Sequence, residues 1–220
     1  MHESSRPSVA IVDYGMGNLF SVRRACESAG LEAQITSSPQ EVAQADGVIL
    51  PGVGAFADAM DSLRRLELVR PLREAASSGK PFLGVCLGMQ LLMSRSHEFG
   101  LHEGLGILKG EVVRLEEARE VERNFKVPEV GWNLILNEEG RSWEGTLLKG
   151  LTDKTWMYFV HSFYVQPADR DSVVSETRYG PVRFCSALQK GNLFACQFHP
   201  ERSGPEGLQI YKNFMERISS

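Results

Sequence analysis

A cysteine lies between two glycines in the short stretch GVCLG, residues 84–88. The apolar residues before it predict a strand and those after it a helix, so Cys86 lies on a sharp strand-to-helix turn. Flanking glycines let neighbouring backbone pass close to such a turn, which is the geometry of a nucleophile elbow. N–H groups at the start of the helix favour the thiolate. The pattern indicates a nucleophile, and the alternative is a small buried residue at a crowded turn.

A cysteine nucleophile needs a base, and the base needs a group that orients it. In QFHPER, after a later apolar strand, His199 and Glu201 lie two residues apart. In an extended chain this spacing turns both side chains to one side, so the carboxylate can reach the imidazole. His161 also follows an apolar strand, but no carboxylate stands two residues after it. We therefore predict a catalytic triad of Cys86, His199 and Glu201.

Attack by a cysteine on an acyl group creates an oxyanion, which N–H donors stabilise. The backbone N–H of Leu87, directly after the cysteine, is one candidate donor. The second is Gly52 in the loop PGVG, residues 51–54, because glycine permits backbone geometries that turn an N–H group into a site. The alternative for this loop is an ordinary strand-to-helix turn.

A second glycine-rich turn, YGMGN at residues 14–18, follows the first predicted strand and resembles a dinucleotide-binding loop. The third glycine of that fingerprint is missing, and no acidic residue ends the second predicted strand. We therefore expect no nucleotide and no other cofactor.

Composition narrows the class of protein. The chain has 220 residues, 42% of them hydrophobic, which is enough for one core. A net charge of −4 argues against a nucleic-acid surface, and the sequence shows no apolar segment of signal-peptide or membrane-spanning type. The four cysteines form no CxxC pair or zinc spacing, so we expect a reducing, cytoplasmic compartment and no metal. Cys26, Cys185 and Cys196 are expected to be small buried residues.

The first half of the chain alternates strands and helices. Asn18 is expected to cap the first helix and Gly30 to end it. Strands are predicted at 8–13, 32–36, 47–50 and 81–86, helices at 19–30 and 87–95, and helical segments from about 58 to 78. This alternation implies crossover connections and a parallel sheet covered on both faces.

After about residue 110 the sequence becomes β-rich, with strands bounded by Gly, Pro and Asp and a hairpin near residues 190–192. An amphipathic helix closes the chain. We predict a short N-terminal tail, 1–7, and one α/β domain, 8–220, with a parallel core and an antiparallel extension. The site then falls at the carboxyl ends of the parallel strands.

The motifs resemble those of class I, or triad, glutamine amidotransferases. Within that class, their order resembles the glutaminase subunits of imidazole glycerol phosphate synthase, over about residues 9–218. The motifs that carry the resemblance are VDYGMGNL, LPGVGAF, LGVCLGMQLL, VPEVGWN, YFVHSFY and QFHPERSGPEGLQIYKNF. The resemblance implies a flavodoxin-like fold.

The resemblance also implies a reaction and a partner. Cys86 attacks the side-chain amide of glutamine, and His199 protonates the departing ammonia and then activates water. Gln90 and Ser162 match positions that bind substrate glutamine. The implied partner is a TIM-barrel cyclase subunit in a heterodimer, which receives the ammonia in histidine biosynthesis. Residues 14–18 and the Trp132–Asn133 region are expected to face it.

Two residues depart from the family pattern: Glu129 replaces a usual histidine, and Arg202 a usual lysine. The resemblance places Glu129 in a loop beside PGVG, near the nascent oxyanion, where an unpaired carboxylate is unfavourable. We expect Glu129 to point to solvent or to pair with a cation, for which Arg202 is the candidate.

Other readings remain. A paralogous glutaminase could supply another synthase, such as one that forms a surface-sugar amidine, and would carry nearly the same motifs. A redox-sensing or non-catalytic α/β protein would not require Gln90, His199 and Glu201 together. A stand-alone esterase would leave PGVG and CLGMQ unexplained.

Overall fold

The computed structural model describes residues 7–115, 126–137 and 142–219, so most of the predicted tail lies outside the described residues. The strands are β1 (Ser8–Val12), β2 (Glu32–Thr36), β3 (Gly47–Leu50), β4 (Phe82–Val85), β5 (Arg95–Ser96), β6 (His102–Glu103), β7 (Gly110–Arg114), β8 (Glu129–Ile135), β9 (Thr155–His161), β10 (Phe163–Pro167), β11 (Val173–Tyr179), β12 (Val182–Lys190) and β13 (Leu193–Cys196). The helices are α1 (Leu19–Ser28), α2 (Pro39–Gln44), α3 (Phe56–Arg65), α4 (Val69–Ser77), α5 (Leu87–Leu91) and α6 (Gly204–Ile218). Single 3-10 turns cover Arg170–Ser172 and Pro200–Arg202.

Seven strands form the central sheet, in the order β11-β12-β13-β4-β3-β1-β2. The five strands from β13 to β2 are parallel neighbours. β12 and β11 extend the sheet antiparallel beyond β13. The predicted α/β class, with a mainly parallel core and an antiparallel extension, is confirmed.

Both faces of the sheet are covered, as the near-continuous apolar strands require. On one face, helices α2, α3 and α4 contribute Val42, Phe56 and Leu72 to a buried cluster. On the other, α1 and α6 contribute Val22 and Phe214 to a second cluster. Asn18 stands at the N-cap of α1, but its side chain makes no capping hydrogen bond.

The structure differs from the sequence expectations for VPEVGWN and for the helix predicted at 87–95. VPEVGWN is not a loop but the start of β8, which pairs antiparallel with β9 along its whole length. The apolar run from residue 155 to 167 is two strands that break at Ser162. The predicted helix at 87–95 ends at Leu91, because Arg95 and Ser96 join β7 as a short parallel strand.

The fold brings three strand ends together. β3, β4 and β13 are neighbours in the sheet, and their carboxyl ends lead directly to Pro51, Cys86 and Gln197. Because parallel strands end at one edge, the PGVG loop, the elbow cysteine and the His199 turn meet there.

Candidate active site

Cys86 has the strained backbone of a nucleophile elbow. Its φ of 54° and ψ of −112° lie outside the regions that a non-glycine residue ordinarily adopts. The conformation is held by the sheet on one side, where the Cys86 N–H donates to the Cys196 carbonyl at 2.8 Å. On the other side the Cys86 carbonyl accepts from Met89 and Gln90 at the start of α5. The thiol is therefore fixed between a strand end and a helix start.

Both glycines that flank the cysteine are closely packed, and Gly88 has no room for a side chain. A Cβ on Gly88 would collide with the carbonyl oxygen of Leu50 at the end of β3. A Cβ on Gly84 would come within 3.1 Å of Ala195 and Leu92. These close approaches let α5 start directly above the sheet edge, and they explain the G-x-C-x-G pattern.

His199 and Glu201 form the predicted hydrogen bond. The imidazole Nδ1 lies 2.8 Å from the Glu201 Oε1, and both side chains are buried. The route differs from the sequence expectation, because only His199 is extended and Pro200–Arg202 is a 3-10 turn that brings the carboxylate back. Since Glu201 only accepts in its ionised form, Nδ1 carries the proton, and Nε2 is the ring nitrogen available to Cys86.

The backbone around His199 is clamped to a second sheet. Its N–H donates to the Tyr158 carbonyl at 2.9 Å, and its own carbonyl accepts from the Ser203 hydroxyl at 2.6 Å. The Ser203 oxygen in turn accepts from the Tyr158 N–H at 3.0 Å. This closed ring of contacts ties His199 to β9, the strand that carries one side of the cleft.

The electrostatics couple the base to the thiol. Burial of His199 lowers the pKa, but the Cys86 thiolate and the Glu201 carboxylate outweigh it and raise the pKa to about 10. His199 Nε2 is buried and has no aligned hydrogen-bond partner among the described residues. Contact with the Cys86 side chain is one of the causes that raise this pKa, so the ring lies next to the sulfur, where a substrate amide could be bound between the two groups.

A cleft of about 290 Å³ opens beside Cys86. It brings together Cys86, Leu87, Gln90 and Ser162, four of the residues singled out in the sequence. Gln90 is held by two bonds from its Nε2, to the Phe163 carbonyl at 2.9 Å and to the Gln197 Oε1 at 3.1 Å.

Gly52, the other predicted N–H donor, lies next to Leu87. It is the Gly52 carbonyl, and not its N–H, that faces Leu87. The Leu87 N–H points toward the Gly52 oxygen at 3.4 Å. The loop is supported from below by Tyr14, whose hydroxyl donates to the Pro51 carbonyl at 2.8 Å. A Cβ on Gly52 would collide with that hydroxyl, so the loop and Tyr14 are fitted to each other. Tyr14 is buried and does not belong to an exposed partner surface.

One charged residue of the cleft escaped the sequence reasoning. Glu98 lines the cleft, and its Oε2 accepts from the Phe56 N–H at 2.7 Å at the start of α3. Burial raises the pKa of this carboxyl. It sits in the polar connection SRSHEFGLHEG, where nothing local distinguishes a cleft residue from a solvated one.

Glu129 neither points to solvent nor pairs with Arg202, so both of those expectations were wrong. Its side chain is buried, and its Oε2 lies 3.0 Å from Nε2 of His161 on β9. Arg202 instead places its guanidinium over the Tyr158 ring, 4.2 Å from the centroid. The pairing of β8 with β9 places His161 opposite Glu129. That pairing cannot be read from the local sequence.

The other cysteines are free and buried, as expected. Within the described residues, no group of His, Cys, Asp or Glu could hold a metal ion, and no helix is long and apolar enough to cross a membrane. A larger groove of about 550 Å³ lies beside α2 and α4, but its lining contains no nucleophile and no buried polar group.

Comparison with known proteins identifies relatives along nearly the whole chain. The family model for glutamine amidotransferase class-I matches residues 10–218. The imidazole glycerol phosphate synthase subunit HisH 1 of Legionella pneumophila (strain Lens) is 43% identical over 210 residues, which cover 95% of this chain and 99% of that protein. The HisH subunit of Rhodopirellula baltica is 47% identical over 207 residues, or 94% of this chain and 96% of that protein.

Solved structures agree on the fold. The structure of PurLQS from Thermotoga maritima matches with a TM-score of 0.69 at 20% identity, over 96% of this chain and 98% of that one. A crystal structure of a glutamine amidotransferase gives a TM-score of 0.69 at 19% identity, over 96% and 99% of the two chains. At such identities the likeness shows the fold alone.

Proposed function

The chain belongs to the class I glutamine amidotransferases, and on that premise we propose that it is the glutaminase subunit of an imidazole glycerol phosphate synthase. In this role it hydrolyses glutamine in the cytoplasm and passes the ammonia to a TIM-barrel cyclase subunit in a heterodimer. The observation that carries the proposal is the strained Cys86 elbow beside a buried His199–Glu201 pair. The near full-length relatives named as HisH support the choice of synthase.

The chemistry follows from the three side chains. The Cys86 sulfur adds to the side-chain amide carbon of glutamine, and the carbonyl oxygen becomes an oxyanion. The His199 imidazolium gives its Nε2 proton to the amide nitrogen, the C–N bond breaks, and ammonia leaves a glutamyl thioester. His199 then takes a proton from water, whose oxygen attacks the thioester and releases glutamate and the thiolate.

Glu201 holds the base in the required state. With Nδ1 hydrogen-bonded to its carboxylate, the imidazole keeps Nε2 toward the sulfur, and the positive charge that forms is stabilised in a dry site. We propose that Gln90, Ser162 and Glu98 bind the α-ammonium and α-carboxylate groups of glutamine at the mouth of the cleft. The Glu98 carboxylate can accept a hydrogen bond from the α-ammonium group.

Oxyanion binding by Leu87 requires a change in the PGVG loop. Its N–H is directed at the Gly52 carbonyl, so this contact must open before the N–H can bind a new oxygen. We propose that docking of the cyclase favours the open arrangement. The docking surface that we propose is an apolar stripe, formed by Val130, Trp132 and Trp156, which share one exposed face of the β8–β9 pair.

The proposal is tested with the purified chain, a cyclase subunit and the ribotide ligand of that cyclase, by following glutamate formation. We expect glutamine hydrolysis to require Cys86 and to rise when the cyclase and its ligand are added. In Cys86→Ala, glutamine-driven synthesis should fall below a few per cent, while synthesis from added ammonium salt continues.

Cys185→Ala is the matched control, because Cys185 is also a buried cysteine but lies on β12 and is not part of the proposed triad. It should keep glutamine-driven synthesis. Substantial turnover in Cys86→Ala would exclude Cys86 as the nucleophile. Stimulation by a different synthase, with none by the cyclase, would exclude the pathway assignment.

A further inference from the structure

Glu129 and His161 form a buried pair at the cleft, whose lining includes His161. They are opposite residues in the β8–β9 register, with side-chain exposures of 3% and 2%. The Glu129 Oε2 lies 3.0 Å from the His161 Nε2, off the axis of an aligned hydrogen bond. The two groups are therefore in close contact with no solvent to separate them.

The second oxygen of Glu129 is fixed by Asn133. The Asn133 Nδ2 donates to the Glu129 Oε1 at 2.7 Å and to the Arg178 carbonyl at 3.0 Å. The Asn133 Oδ1 accepts from the Leu134 N–H at 2.8 Å, which sets the orientation of the amide. The carboxylate is thus held in place by a donor and turned toward the histidine.

The proton count of the pair follows from its other contacts. The His161 Nδ1 lies 2.9 Å from the Phe163 carbonyl oxygen, which can only accept, so Nδ1 carries a proton. In a neutral ring Nε2 would then present a lone pair to the Glu129 carboxylate, and two acceptors 3.0 Å apart repel. One additional proton must lie on the pair. Donation from Asn133 stabilises the ionised carboxylate, so the proton belongs on the His161 ring.

The pair is connected to the reacting groups through one carbonyl. The Phe163 oxygen that accepts from His161 also accepts from Gln90 at 2.9 Å. Gln90 continues to Gln197, whose Nε2 lies 3.6 Å from the Cys86 sulfur. Phe163 ends a short segment, residues 160–163, that begins at Val160. The Val160 carbonyl lies 3.8 Å from the same sulfur.

We propose that Glu129 is a positioning residue that holds His161 as an imidazolium and thereby fixes residues 160–163 and Gln90 for glutamine binding. The proposal rests on the proposed glutaminase function and adds a determinant of glutamine affinity that lies outside the triad. It also explains how a buried carboxylate is tolerated near a site that forms an oxyanion, since Glu129 and His161 together carry no net charge.

Two variants of Glu129 separate the effect of its charge from the effect of its contact with His161. In Glu129→Gln the amide can still donate to His161 Nε2, so the segment stays in place while the ring becomes neutral. In Glu129→Ala nothing faces the ring, and the segment loses its anchor. We expect the KM for glutamine to rise about 10-fold or more in Glu129→Ala and less than about 3-fold in Glu129→Gln, with kcat changed less than KM in both.

Nitrogen-15 NMR of the histidine rings provides a readout that does not depend on turnover. In the wild-type chain near neutral pH, both ring nitrogens of His161 should give protonated signals, and in Glu129→Gln the Nε2 signal should move to the unprotonated range. Glu176→Gln is the control, because Glu176 is a buried carboxylate that pairs with Arg183 on β12. It should leave both the His161 signals and KM unchanged.

A neutral His161 in the wild type, or identical His161 signals in wild type and Glu129→Gln, would overturn the proposal. So would an unchanged KM in Glu129→Ala with a folded protein. If the wild-type chain did not hydrolyse glutamine at all, the proposed function would fail, while the NMR comparison would still decide whether Glu129 charges the ring.

Discussion

The backbone N–H of Leu87 points at the carbonyl oxygen of Gly52, 3.4 Å away. Both residues were expected to donate N–H groups to an oxyanion, yet here one donor is directed at the carbonyl of the other. A carbonyl oxygen in that position would repel a developing oxyanion. In this arrangement the Leu87 N–H is not directed at the position of an oxyanion, although the residues of the proposed triad lie beside it.

We therefore expect slow glutamine hydrolysis by the isolated chain and a rise of about 10²-fold when the cyclase and its ligand are bound, the effect of gaining one oxyanion donor. The measurement is the initial rate of glutamate formation with and without the partner. Equal rates in both states would mean that the Leu87–Gly52 contact does not limit catalysis.

Substitutions of the two other residues of the proposed triad, His199 and Glu201, should differ in how much glutaminase activity they remove. His199→Ala removes both the acid and the base and should be nearly as damaging as loss of the nucleophile. Glu201→Gln should cost less, because an amide can still hold the imidazole at Nδ1 but stabilises the positive ring poorly. Rates of glutamate formation with the cyclase bound would show the order. A larger loss in Glu201→Gln than in His199→Ala would contradict the orienting role.

The three residues proposed as the triad could be picked out from the sequence because their signals are local. The Cys86 turn joins an apolar strand to a helix within five residues, and the His199–Glu201 spacing is read in one short motif. Glu98 and Glu129 could not be placed, because their burial is decided by elements far away in the chain. The partner of Glu129 depends on the register of β8 with β9, which positions His161 opposite it.

The close contact between Gly88 and the Leu50 carbonyl, behind Cys86, predicts an effect on stability. In Gly88→Ala the new methyl group would meet the Leu50 carbonyl, so α5 or β3 must shift. Overpacking of this kind costs about 1–3 kcal/mol or more, and we expect the upper part of that range. Urea unfolding followed by circular dichroism would measure the loss.

Gly79→Ala is the control for that variant. Gly79 has a φ of +86° but open space around its Cβ position, so the substitution costs only backbone strain. We expect about 1–2 kcal/mol there. If Gly88→Ala were no more destabilising than Gly79→Ala, the contact with Leu50 would not constrain the elbow.

The pKa of His199 predicts how the protonation of the site depends on pH. Burial lowers this pKa, but the Cys86 thiolate and Glu201 raise it to about 10, above the unfolded value of 6.5. The ring should therefore stay protonated through neutral pH, and NMR should show its titration well above pH 8. In Cys86→Ser the contribution of the thiolate is lost, so the titration should move to lower pH. An unchanged midpoint in Cys86→Ser would exclude the thiolate as a cause of the raised pKa.

The raised pKa of His199 also determines how its contribution to the free energy of unfolding changes with pH. Because the folded-state pKa of His199 lies above its unfolded value, the protonated ring stabilises the fold fully below pH 6.5, and this contribution is lost as pH rises toward 10. Replacing His199 by Gln removes the contribution at every pH. The difference in free energy of unfolding between wild type and His199→Gln should therefore be larger at pH 6 than at pH 9.5, as measured by urea unfolding at both values. A difference that stays constant or widens with pH would show that His199 is not charged in the folded protein, and the imidazolium would then have to form only after glutamine binds.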